Sequence, residues 1–215
     1  MYPLASSFFE KTEWILRSDP VSYSESLTFM TERVGAIYNK KAPTTLWLLE
    51  HPPLITLGTS GSLDDVHTAD LPVYRTGRGG KATYHGPGQR VVYVMMDLSF
   101  VQHDLHYFVK CLEKWILLTL KTFSLHGFTD PQRVGVWVNQ GKTAAKIASI
   151  GIRVRKWVSF HGFALNVNPD LGAFDHIIPC GVRAPVCSMH SLGVKASLSS
   201  VDAALQKTFS QVFNV

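Results

Sequence analysis

The sequence predicts a single α/β (α+β) domain, residues 1–215, in which a central mixed β-sheet is flanked by helices. Three observations lead there. With 215 residues, 46% of them hydrophobic and 17% charged, the chain can build one substantial core, and no shift in composition marks a second. Segments of helical period alternate with segments of strand period. Several strand-like segments are separated by hairpin turns, which favours a mixed sheet over strict βαβ winding.

The elements follow in order. Leu27, Met30, Val34 and Ile37 recur at helical spacing and Pro43 follows the polar NKKAP, so a helix is expected from about Ser24 to Lys40. TLWLLEHPP reads as a strand. LITLGTSGSLDD starts apolar and decays into glycine, serine and aspartate, the pattern of a surface loop. PVYRTGRGGKATYHGPGQRVVYVMMDL contains two apolar runs, around Val73 and from Val91 to Leu98, separated by five glycines and a proline. That spacing predicts a long loop between two strands. Leu105, Phe108, Val109, Leu112, Trp115, Ile116, Leu120 and Phe123 form a helical stripe with Asp104 at its N-cap, and Cys111 beside the stripe is expected to pack. GVWVNQGKTAAKIASIGIRVRKWVSFHGFALNV alternates on both sides of NQG, as a β-hairpin leading into further strands does. Val201, Leu205, Phe209 and Val212 lie on one face of a final helix capped by serine.

Composition excludes several classes. The longest wholly apolar runs, such as Val91 to Met96, fall far short of the roughly 20 residues of a membrane span. Glu10, Glu13 and Asp19 fit neither a signal peptide nor a transit peptide, so a soluble cytoplasmic protein is expected. Cys111, Cys180 and Cys187 are an odd number without a zinc-like spacing, which disfavours disulfides and a metal site. The net charge of +5 favours an acidic partner, nucleic acid being one candidate. Its densest cluster, Arg153, Arg155 and Lys156, reads better as the solvated face of a strand than as a docking patch.

Two nucleotide signatures fail on context. Gly77, Gly79 and Ala82 satisfy G-x-G-x-x-A, but that motif must open a helix, and TYHGPGQ followed by a β-rich run does not. Gly141-Lys142-Thr143 resembles the end of a P-loop, yet Val136 stands where the first glycine belongs.

The remaining chemistry lies in three places. RGGKATYHGPGQ interleaves glycines with Arg78, Thr83, Tyr84, His85 and Gln89, so its backbone can wrap a ligand while polar side chains orient it. Lys146, in the apolar TAAKIASIG, is either solvated at a strand edge or held beside a group that uses its charge. Cys180, between Pro179 and Gly181, is either a small packed hydrophobe or a nucleophile, and an adjacent cation would favour its thiolate.

Taken together, these segments resemble the octanoyltransferases of lipoate biosynthesis, the lipoyl(octanoyl) transferase or lipoate-protein ligase B family. The likeness rests on EHPPLITLG at 50–58, RGGKATYHGPGQ at 78–89, KIASIGIRVRKWVSFHGFALNV at 146–167 and IIPCG at 177–181. It implies the lipoate/biotin protein ligase catalytic fold. The family's catalytic cysteine falls on Cys180 and its activating lysine on Lys146. Its acyl-binding positions fall on Arg78, Gly79, Gly80, Lys81, Ala82, Thr83, Tyr84 and His85, on Ser149, Ile150 and Gly151, and on Gly162, Phe163 and Ala164.

The resemblance implies transfer of an octanoyl or lipoyl group from acyl carrier protein to Cys180, then to a lysine of an apo lipoyl domain. Acceptors would be the lipoyl domains of 2-oxoacid dehydrogenases and the glycine cleavage H protein. Thioester exchange is near thermoneutral and amide formation is downhill, so neither ATP nor a cofactor is required, and a monomer without nucleic-acid or membrane partners is expected. Backbone amides of the glycine-rich loop, or those around Gly181, are candidates for stabilising the oxyanion. The alternatives are an ATP-dependent lipoate- or biotin-protein ligase acting through an acyl-adenylate, and a non-catalytic acyl-binding or nucleic-acid-binding module.

Overall fold

The computed structural model describes residues 12–67, 70–101, 103–141, 143–177 and 184–213. Its elements run β1 (Glu13–Leu16), α1 (Tyr23–Tyr38), β2 (Thr45–Leu49), β3 (Leu54–Leu57), β4 (Val73–Arg75), β5 (Ala82–His85) and β6 (Gln89–Met95). They continue with α2 (Leu105–Lys121), β7 (Gly127–Asp130), β8 (Arg133–Gln140), β9 (Thr143–Arg155), β10 (Val158–Asn166) and α3 (Leu198–Phe213). Seven strands form one sheet in the order β1-β2-β6-β10-β9-β8-β7, and β4-β3-β5 form a second. β1 is parallel to β2 while the other neighbours in the large sheet are antiparallel, so the sheet is mixed, as the hairpin-rich sequence predicts.

Strand alternation explains why β2 and β6 carry apolar residues at nearly every position. Leu46, Leu48, Val92 and Val94 point into a core built with Trp115 of α2 and Leu205 and Phe209 of α3. Trp47, Leu49, Val91, Tyr93 and Met95 point the other way, against Met30, Val34 and Ile37 of α1. Helices therefore cover both faces. α2 and α3 are joined by the Trp115 indole N–H, which donates to the Leu205 carbonyl at 2.9 Å.

The helix boundaries follow their caps. The Ser22 hydroxyl accepts from the Glu25 N–H, which opens α1 just before the expected start, and Asp104 caps α2 as the sequence predicts. α3 begins earlier than expected, with the Ser200 N–H donating to Ser197 Oγ at 3.1 Å. Cys111 is buried against the α2 core. Among the described residues no helix is long and apolar enough to cross a membrane. Arg153, Arg155 and Lys156 are exposed, matching the reading of a solvated strand face.

Two segments read as loop are strands. LITL forms β3, buried along its whole length, and ATYH within the glycine-rich stretch forms β5. Each is short, and what makes it a strand is a partner distant in sequence: β3 pairs with β4 on one side and β5 on the other. Composition carries no information about that pairing. β5 also removes the dinucleotide reading, since a strand rather than a helix begins at Ala82. Gln140 and Thr143 pair directly across β8 and β9, with Gly141 at φ +62°, so this stretch joins two antiparallel strands and does not lead into a helix as a P-loop does.

Candidate active site

The second sheet and the glycine-rich loop lie over β9 and β10 and enclose a cavity of about 400 Å³. β10 pairs with β9 so that Gly162 faces Gly151, Phe163 faces Ile150 and Ala164 faces Ser149. The two triplets named from the sequence are thus direct cross-strand partners, and all six residues line the cavity. Arg78, Gly79, Gly80, Lys81, Ala82, Thr83, His85 and Lys146 line it as well. Tyr84 does not: alternation along β5 turns its ring into a neighbouring cluster, edge-on to Phe174 at 5.3 Å.

Close backbone approach explains the glycine at 162, where a Cβ would sit 1.9 Å from the Val92 carbonyl oxygen. The loop is pinned to β9 by the Gly79 N–H, which donates to the Ile152 carbonyl at 2.9 Å. That bond uses the Gly79 amide and removes it from the oxyanion donors considered above. Arg78 is 8% exposed and braces the same loop. Its guanidinium donates to Thr56 Oγ1 and to the carbonyls of Thr56, Gly79 and Lys81 at 2.7–3.1 Å.

Lys146 is 5% exposed in β9, an interior strand between β10 and β8, so the solvated-edge alternative is excluded. Its Nζ donates to the Val134 carbonyl at 3.2 Å and lies 4.7 Å from the Trp137 ring centre. β8 makes room with a register shift and with Gly135 at φ +121°, where a Cβ would stand 2.6 Å from the Ala148 carbonyl oxygen. The Lys146 backbone receives the chain that resumes at Ala184. Its N–H donates to the Pro185 carbonyl at 2.8 Å, and its carbonyl accepts from the Cys187 N–H at 3.0 Å. Ala184 and Val186 line the cavity next to it.

Cys180 and Gly181 lie outside the described residues. The other two cysteines are buried, and burial pushes both thiols up, that of Cys187 to about 12. Neither supplies thiolate near neutral pH.

Sequence reading missed several residues beside the cavity: Tyr23, Thr56, Tyr93 and Trp137 line it, and His51 meets His85 edge-on behind; His161, a histidine whose role the sequence leaves open, lines it as well. His51 donates from Nδ1 to the Val21 carbonyl at 2.5 Å and accepts from the Tyr93 hydroxyl at Nε2, 2.7 Å. His161 adopts φ +65° within β10, and its buried Nε2 has no hydrogen-bond partner among the described residues. The available signal was polar residues inside otherwise apolar strand patterns, such as Thr56 in LITL.

These imidazoles are held neutral. Burial is the main cause at each. It lowers His51 to about 4, lowers His85 to about 3 with help from His51 and Arg78, and lowers His161 to about 3 with help from Arg78 and Arg153. Unfolded, each would titrate near 6.5, so between that value and the folded one only the unfolded chain takes up protons. Stability is therefore unaffected above about pH 7 and falls as the pH drops from 6.5 toward 4. At pH 5.5 the three together cost on the order of 3 kcal/mol relative to pH 7. Urea unfolding should show the midpoint falling over that interval; equal midpoints would contradict neutral burial.

Comparison with known proteins agrees with this geometry. Residues 22–210 match the family model for the lipoyl protein ligase A/B catalytic domain. An octanoyltransferase of Nitrobacter hamburgensis is 50% identical over 211 residues, covering 95% of this chain and 88% of its own. One of Parvibaculum lavamentivorans is 49% identical over 219 residues, covering 98% and 97%. Among solved structures, a putative lipoate protein ligase of Thermoplasma acidophilum with bound lipoic acid superimposes with a TM-score of 0.70 at 19% identity, covering 95% of this chain and 86% of its own; that likeness establishes the fold. The chain belongs to the lipoyl protein ligase A/B catalytic domain family and, sharing about half its residues with octanoyltransferases along nearly its whole length, is an acyltransferase.

Proposed function

We propose that this single catalytic domain transfers an octanoyl or lipoyl group from acyl carrier protein to a lysine of apo lipoyl domains through a thioester on Cys180, without ATP. The observation that carries the reading is the setting of Lys146. It is buried at the wall of the cavity, and its backbone is hydrogen-bonded to Pro185 and Cys187, five and seven residues after Cys180.

In the first step the Cys180 thiolate attacks the donor thioester carbonyl, the new C–S bond forms, and the phosphopantetheine thiolate leaves and takes a proton. In the second, the acceptor lysine amine attacks the acyl-enzyme. The amide forms, the C–S bond to Cys180 breaks, and the amine proton is released. Lys146 favours the thiolate at both ends of the cycle. The net charge of +5 suits the acidic carriers and lipoyl domains that this reading requires, and a reactive free thiol suits the reducing cytoplasm.

The fold is shared with lipoate protein ligase, so the rival is activation of a free acid by ATP. Incubation with octanoyl carrier protein and an apo lipoyl domain, with no ATP, separates the two. Octanoyl-amide should form on the lipoyl domain. No product would remove the transferase reading, and product only from free octanoate plus ATP would establish the ligase.

A further inference from the structure

Five buried side chains beside the cavity form one hydrogen-bonded line whose two ends set its direction. At one end stands the Arg78 guanidinium, which can only donate. Its Nε and Nη2 give hydrogens to Thr56 Oγ1 at 3.1 and 2.8 Å. With its lone pairs so engaged, the Thr56 hydroxyl turns its proton to His85 Nε2, 3.4 Å away. At the other end is the Cys187 carbonyl, which can only accept. Asn166 Nδ2 donates to it at 3.0 Å, leaving Asn166 Oδ1 to accept from Gln89 Nε2 at 2.9 Å. Gln89 Oε1 is then the acceptor presented to His85 Nδ1, at 2.7 Å.

Both ends demand the same histidine, with its proton on Nδ1 and its lone pair on Nε2. Any other arrangement places two donors or two lone pairs face to face. All five side chains are at most 8% exposed, so solvent does not relieve the mismatch, which costs about 1–3 kcal/mol for each unsatisfied group. The tautomer of an imidazole is set by the bond its other nitrogen makes. Here that bond comes from Gln89, whose own orientation comes from Asn166.

We propose that Gln89 and Asn166 are positioning residues of the acyl-transfer site: they hold His85 as its Nδ1–H tautomer and tie it to Cys187, whose N–H is bonded to the Lys146 carbonyl. The glycine-rich loop, braced through Arg78, and the strand carrying Lys146 are thereby held by one directional line. His85 presents only a lone pair at Nε2, so it accepts and does not donate there. Its neutrality, kept by burial and by His51 and Arg78, is what the line requires, because an imidazolium would put a proton on Nε2 facing the Thr56 hydroxyl.

The kinetic part of this proposal rests on the acyl-transfer reading, whereas the tautomer is measured without substrate. Long-range 1H–15N spectra of the 15N-labelled full chain report which ring nitrogen of His85 carries the proton. Nδ1–H is expected from pH 5 to 8; Nε2–H, or a mixture, overturns the proposal. Gln89→Leu is expected to move His85 to Nε2–H and to lower kcat for octanoyl transfer about 10- to 100-fold, the range that one mismatched buried hydrogen bond corresponds to, with KM little changed. Gln89→Glu keeps an acceptor for Nδ1–H and is expected to keep the Nδ1–H tautomer, but it loses the hydrogens that Gln89 gives to Asn166 and the Tyr84 carbonyl and is expected to recover kcat only in part. A Gln89→Leu protein with wild-type kcat, or one that loses kcat while His85 stays Nδ1–H, rejects the positioning role. Should Gln89→Leu fail to fold, the wild-type tautomer and Gln89→Glu decide. Absence of octanoyl transfer by the wild type would remove the acyl-transfer reading and leave the tautomer result standing.

Discussion

Cys180→Ser is expected to abolish the octanoyl-enzyme and reduce transfer by about 10³-fold or more, while the protein keeps its fold. The size of the effect follows from covalent catalysis, since without the thiol neither half of the transfer has its intermediate. The two cysteines whose positions are described cannot substitute. Cys111 packs in the α2 core, and Cys187 is fully buried with its thiol pushed to about 12. Intact-protein mass spectrometry after exposure to octanoyl carrier protein should show one octanoyl adduct on the wild type and none on Cys180→Ser. Iodoacetamide at neutral pH should label the native protein at Cys180 alone. An adduct mapped to Cys111 or Cys187 would move the nucleophile and overturn the proposed chemistry.

Replacing Lys146 should impair acylation most strongly at low pH. A free thiol with a pKa near 8.5 is only a few per cent thiolate at pH 7, and each unit by which a neighbouring cation lowers it corresponds to about 1.4 kcal/mol. Without that cation the rate should follow the thiolate fraction of an unassisted thiol. The deficit is then about 10- to 100-fold near pH 6.5 and shrinks toward pH 9. Lys146 also packs on Trp137, so Lys146→Met, which keeps an unbranched apolar stem against that ring, is the better variant alongside Lys146→Ala. Single-turnover acylation across this pH range checks the expectation. A uniform loss at every pH would assign Lys146 to packing rather than to thiolate formation.

The helices and hairpins were legible in the sequence because their signals are local. The stripe from Leu105 to Phe123, capped by Asp104, and the alternation around NQG each lie within a few turns of chain. β3 and β5 were not legible, since each is four residues long and is stabilised by a partner far away in sequence. The candidate site divides in the same way. The RGGKATYHGPGQ loop and Lys146 stand out by residue type, yet nothing local says that Tyr84 turns away from the cavity while Thr83 and His85 face it. Thr56 and Asn166 carry no signal beyond being polar inside apolar strands, and their place in the line from Arg78 to Cys187 depends on segments 22, 77 and 21 residues apart meeting at hydrogen-bonding distance.

By itself, then, the sequence determined the class of fold, the two nucleotide motifs that fail, and the family, from whose resemblance the proposed roles of Cys180 and Lys146 come, because periodicity, turn chemistry and motif order are properties of neighbouring residues. Only the tertiary structure decided that Ser149–Gly151 and Gly162–Ala164 face each other along the cavity, that Arg78 braces its own loop, and that His85 is held in one protonation form. Those outcomes are set by strand register and by which buried donors meet which acceptors. Both are settled when distant segments pack and water is excluded, the condition under which an unmatched hydrogen bond becomes costly enough to select one arrangement.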